Sequence, residues 1–99
     1  MKRQVAILTP PGRSAIATLI CRGENVDTAV SEFFTPKALR DFSSYRVGQI
    51  VFGSWTQPSG QSEDVVVCRK SESTVEVNCH GGTAAVDAIE LNLKSKGFE

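Results

Sequence analysis

Residues able to do chemistry gather in two runs of this chain, Pro10-Pro11-Gly12-Arg13 and Thr74-Val75-Glu76-Val77-Asn78-Cys79-His80-Gly81-Gly82. The second run alternates like a strand. Its side chains therefore divide between two faces, Val75, Val77 and Cys79 on a buried one and Glu76, Asn78 and His80 on the other. A carboxylate, an amide and an imidazole in one row can accept and donate hydrogen bonds to a polar ligand. Gly81 and Gly82 stand directly before a helical pattern, where a sharp turn leaves the first helix amides open to a carboxylate or phosphate. The same pair is also ordinary turn chemistry. In the first run, two fixed φ angles and one permissive residue make a rigid bend that presents Arg13 at a defined place. Arg13 is then either a grip for a carboxylate or phosphate or a solvated turn arginine.

Several chemistries are excluded. The chain has no Gly-x-x-x-x-Gly-Lys-Ser/Thr run for phosphate cradling and no Gly-x-Ser-x-Gly elbow. Cys79 and His80 cannot work as nucleophile and base, because neighbours on a strand point to opposite sides. His80 beside two glycines reads as a turn or helix-start histidine satisfied by backbone groups rather than as an acid or base. No catalytic residue is assigned. A zinc site from Cys68, Cys79 and His80 lacks a fourth ligand, so no metal is expected.

The totals set further bounds. At 99 residues the chain is expected to form one domain over 1–99, with room for a single core. Eleven basic and eleven acidic residues cancel, which points to no broad footprint on nucleic acid or on an anionic membrane. Three cysteines, an odd number within apolar or alternating runs, read as reduced core residues of a cytoplasmic protein. The apolar stretch before Pro10 is too short for a signal-peptide core, and no apolar run reaches membrane-spanning length.

The elements that must position these residues follow from periodicity. Apolar runs predict strands over 4–9 and 15–21, and Val26, Val30, Phe33 and Phe34 recur at helical spacing behind a candidate N-cap at Asn25. Residues 37–41 add a turn of helix, and 43–55 has the β-branched and aromatic enrichment of a strand. After a loop over 57–62, a strand over 63–70 and the run from Thr74 are close enough for an antiparallel hairpin. Ala85, Val86, Ile89 and Leu93 share a face of a helix over 83–93, ended by the cations and glycine of 94–97. The sum is an α+β fold, two main helices packed on one face of a mixed, mainly antiparallel sheet of about five strands.

The order Thr9-Pro10-Pro11-Gly12-Arg13 after a first strand, then Glu76-Val77-Asn78-Cys79-His80-Gly81-Gly82 before a helix carrying Asp87, resembles the N-terminal domain of the tRNA-modification GTPase MnmE, also called TrmE. The resemblance implies a fold of the folate-binding aminomethyltransferase type. It further implies a homodimer that holds 5-formyltetrahydrofolate or a related one-carbon folate and supports modification of the wobble uridine of certain tRNAs, beside a tRNA-modification partner protein. The GTP site of the family belongs to a separate domain. Carried onto this chain, the family's ligand-binding glutamate falls on Glu76, which would accept hydrogen bonds from pterin ring nitrogens, and Arg13, His80, Gly81 and Gly82 from the two runs above complete the candidate cofactor-binding set. The family's ligand-binding arginine falls on Ile20, its ligand-binding lysine falls after residue 99, and its longer loop before the last strand is replaced by Arg69-Lys70-Ser71-Glu72-Ser73. The alternative is an interaction and dimerisation module that has lost folate binding.

Overall fold

The computed structural model describes residues 2–8 and 16–99. Arg13 and the loop around it lie outside the described residues. Six strands are described: β1 (Gln4–Ile7), β2 (Ile16–Arg22), β3 (Phe34–Pro36), β4 (Ile50–Thr56), β5 (Ser62–Ser71) and β6 (Thr74–His80). They form one sheet in the spatial order β1-β2-β6-β5-β4-β3, every neighbouring pair antiparallel. The α+β expectation holds, with one strand more than expected. The β5–β6 hairpin forms as its short connection requires, and β6 is hydrogen-bonded along both edges. Two helices, α1 (Val26–Ser31) and α2 (Thr83–Lys94), cover one face of the sheet.

The core lies between that face and the helices. Leu19 of β2, Val67 of β5, and Val75 and Val77 of β6 meet Val26 and Val30 of α1 and Ile89 and Leu93 of α2, all buried. Each such aliphatic side chain contributes roughly 1.5–3 kcal/mol by leaving water. The chain ends are drawn together by Arg3, whose guanidinium donates to the carbonyls of Lys96 (2.6 Å) and Glu24 (3.2 Å) and lies over the Phe98 ring. Among the described residues, no helix is long and apolar enough to cross a membrane.

The stretch between α1 and β4 departs from expectation. Asn25 precedes α1 in the left-handed region (φ 54°), a conformation asparagine tolerates, and its side chain makes no capping hydrogen bond among the described residues. The helix stops at Ser31. Phe33 and Phe34 fit helical spacing, but Phe33 stacks on Trp55 at 5.3 Å between ring centroids while Phe34 starts β3 opposite Trp55. Residues 37–41 form no helix, Leu39 itself adopting φ 59°, and a single 3-10 turn at Phe42–Ser44 follows. The strand expected over 43–55 begins only at Ile50. Tertiary pairing with Trp55 outweighs local periodicity here.

Trp55 joins three elements. Its ring stacks on Phe33, it pairs across to β3, and its indole N–H donates to Asn92 Oδ1 of α2 at 2.9 Å in a buried setting. Asn92 thereby satisfies a donor that would otherwise be stranded in the core. Next to Trp55's strand partner, Gly53 faces Pro36 across the β3–β4 pair, and a methyl group placed on it would run into the Thr35 carbonyl oxygen and the Phe34 ring. Two outcomes are expected from equilibrium urea unfolding. Gly53→Ala should cost about 1–3 kcal/mol through overpacking, and Asn92→Ala should cost about 1–3 kcal/mol through the unsatisfied indole donor.

Candidate functional site

The face of the sheet turned away from the helices carries the polar row. Burial along β6 alternates as its sequence predicts, with Val75, Val77 and Cys79 buried and Glu76, Asn78 and His80 less covered. The antiparallel registers extend this face into cross-strand rows. One runs Thr18, Asn78, Val66, Phe52 over β2, β6, β5 and β4. The next runs Ala6, Ile20, Glu76, Cys68, Ile50. Ile16, Ile50 and Phe52 are 62%, 63% and 63% exposed, so apolar side chains flank the polar ones without cover from either helix.

A hydrogen-bonded chain crosses the two rows. The Thr18 hydroxyl donates to Asn78 Oδ1 at 2.6 Å, and Asn78 Nδ2 donates to Glu76 Oε1 at 3.0 Å. The second carboxylate oxygen of Glu76 lies 3.7 Å from the Lys70 ammonium. Because the Glu76 carboxylate only accepts, the Asn78 amide must turn its donors toward it, which leaves Oδ1 to face the Thr18 hydroxyl. The carboxylate is thus held in place while keeping lone pairs for a ligand.

An open groove of about 440 Å³ lies beside this chain, with Asn78 and His80 on one wall and Phe52, Ser54 and Asp64 on the other. Glu76 is not among its lining residues. At about 3.3 Å per strand residue, Glu76 and His80 stand some 13 Å apart, so a ligand touching both must be elongated. Gly82 follows at φ 119°, a backbone angle that favours glycine, as the residue before the first turn of α2. Of the five predicted residues, Glu76 and His80 thus share the open face, and Gly81 and Gly82 form the step from it into α2. Periodicity alone missed Thr18 and Lys70. Thr18 shows itself only through the β2–β6 register, and Lys70 only through the β5–β6 register.

Ile20 stands directly opposite Glu76 across the β2–β6 pair. An arginine there would reach the carboxylate, and isoleucine offers it no donor.

The cysteines divide differently from the sequence reading. All three are buried and free, but Cys68 belongs to the open face between Ile50 and Glu76, outside the core cluster that holds Cys21 and Cys79. Cys79 faces the helices while Cys68 and His80 face away, so the zinc set is not brought together. Among the described residues, no group of three or more His, Cys, Asp or Glu side chains gathers to hold a metal.

Burial pushes the Cys21 thiol up to about 12, and burial, with a smaller effect of the Glu63 carboxylate, pushes Cys79 up to about 11. Neither is a thiolate near neutrality, which removes both as nucleophiles.

The sign of the linked pH effect follows. Between the ordinary thiol value of 9.0 and the raised folded values, the unfolded chain releases protons that the folded chain keeps. The stability these thiols contribute is complete below pH 9.0 and is lost as pH rises toward 11 and 12. Denaturant midpoints measured from pH 8 upward should therefore fall less steeply for Cys21→Ala than for the parent chain.

An antiparallel α+β sheet with helices on one face and an uncovered polar row on the other is the class that the fold and this surface define. No family model matches the chain. Curated relatives do. The protein named tRNA modification GTPase MnmE from Oceanobacillus iheyensis is 33% identical over 93% of this chain and 21% of its own length. Those from Lacticaseibacillus paracasei and a Thermotoga species are 34% and 38% identical over 93% and 92% of this chain, in each case 21% of the relative. Over more than nine-tenths of its length the chain is similar to one part of MnmE proteins, in agreement with the resemblance read from its motifs. It spans about a fifth of the length of the curated relatives it matches.

Proposed function

We propose that this chain is a folate-binding and self-associating module, one domain over 1–99, that supports tRNA wobble-uridine modification of the MnmE type. The observation that carries the reading is the hydrogen-bonded Thr18–Asn78–Glu76 chain, which holds a carboxylate on an uncovered sheet face. A pterin edge with adjacent N–H donors matches a carboxylate held in this way. Tetrahydrofolate is elongated, as the Glu76–His80 spacing requires. When bound, the folate supplies a one-carbon group. The chain's own residues orient it, Glu76 accepting from the ring nitrogens at one end while His80, Gly81 and Gly82 offer donors toward the other. Arg13, which follows the double proline, completes the proposed set.

Self-association is supported by the uncovered apolar side chains of Ile16, Ile50 and Phe52 beside the polar row. The cytoplasm fits a protein with three free cysteines. The second reading, an assembly module without folate, is favoured by Ile20 opposite Glu76.

Calorimetry with 5-formyltetrahydrofolate separates the two. Saturable binding is expected, weakened about 10- to 100-fold by Glu76→Ala through loss of charge-assisted hydrogen bonds. Ile20→Arg should strengthen it about tenfold by adding a donor beside the carboxylate. No heat at high micromolar protein, with Glu76→Ala indistinguishable from the parent, removes the ligand. Sedimentation velocity over a concentration series should show a dimer, and a monomer at every concentration would refute the assembly.

A further inference from the structure

Glu76 has apolar neighbours on both sides in its own row, Ile20 on β2 and Cys68 on β5. A carboxylate so placed, with its side chain only 24% exposed, needs charge compensation from outside the row. β5 provides it through a break in its ladder. Cys68 pairs with Glu76 and Arg69 with Val75, but Ser71 rather than Lys70 pairs with Thr74. Lys70 is therefore an extra residue on β5, a bulge that kinks the strand and re-aims a side chain. In an unbroken ladder it would stand opposite Thr74. Here its ammonium lies 3.7 Å from Glu76 Oε2.

The bulge belongs to the segment Arg69-Lys70-Ser71-Glu72-Ser73, which is also where Arg69 turns the other way. The Arg69 guanidinium donates to the Tyr45 carbonyl and lies 3.8 Å from the Asp27 carboxylate of α1. With Arg69 anchored toward the helix layer, Lys70 is left on the open face.

We propose that Lys70 is the positioning residue of Glu76, holding its carboxylate in line with Asn78 from the β5 side, where an arginine at position 20 would hold it from the β2 side. This role rests on the folate reading for its ligand but not for its geometry. The carboxylate has two oxygens and two anchors, Asn78 on Oε1 and Lys70 on Oε2. Removing Lys70 frees one oxygen and lets the group rotate away from the Asn78 amide. Arginine at 70 keeps the charge and the reach, and arginine at 20 supplies the same charge from across β6.

The test uses two measurements on the same proteins. In nitrogen–proton spectra of the free protein, the Asn78 side-chain amide signals should shift in Lys70→Met and stay near their parent positions in Lys70→Arg. In calorimetry with 5-formyltetrahydrofolate, Lys70→Met should bind about three- to fivefold more weakly, the scale of a half-exposed ion pair. Lys70→Arg should bind like the parent, and Lys70→Met combined with Ile20→Arg should bind at least as tightly as the parent. Asn78 signals unmoved by Lys70→Met overturn the proposal, and so does parent-like affinity of Lys70→Met where the parent binds. If the parent takes no folate, the folate reading fails, and the Asn78 signals alone still decide whether Lys70 positions Glu76.

Discussion

The pairing of β2 with β6 is the constraint on which the rest of this fold depends. It joins segments some 60 residues apart in sequence and holds them in register from Ile16 opposite His80 to Arg22 opposite Thr74. Closing so long a loop costs chain entropy that only the completed sheet repays. Once the pair forms, β6 is central, the β5 hairpin extends it on its other edge, and α2 must leave from the end of β6 to return over β2. The same register fixes which side chains face one another on the uncovered side.

That uncovered side is chemically divided. Toward the start of α2 it carries Asn78, His80 and Asp64 around an open groove, and toward the β5–β6 connection it carries Glu76 and Lys70. Apolar residues from β2 and β4 border both ends. A surface of this kind suits a flat, polar-edged ring better than a purely apolar or a densely charged partner, since the carboxylate and amide are fixed while the flanks stay greasy.

The two faces of β6 were legible from alternation alone, and so were the hairpin and α2, because each rests on a local period that burial then rewards. The region after α1 was not. Phe33 and Phe34 satisfy a helical spacing and also a strand pairing with Trp55, and only the presence of β4 decides between them. That Glu76 and His80 share a face follows from alternation, and the isoleucine at position 20 is read from the sequence, but that Ile20 sits squarely across from Glu76 requires the register. Lys70 was missed for a different reason: alternation puts it on the face of Val66 and Cys68, but its approach to Glu76 depends on the β5–β6 register, which shifts at this point. Cys68 was assigned to the core because it is small and apolar, yet its register partners put it on the outer face.

Trp55 is the chain's single tryptophan. Its indole touches the stretch after α1, the sheet and α2 together, so its emission reports whether the two layers are docked and not merely whether secondary structure is present. A loosened state that kept its strands and helices but parted the layers would wet this ring and move its fluorescence to the red before far-ultraviolet dichroism changed. The protein thus contains an intrinsic optical gauge of layer separation, with no label attached to either face.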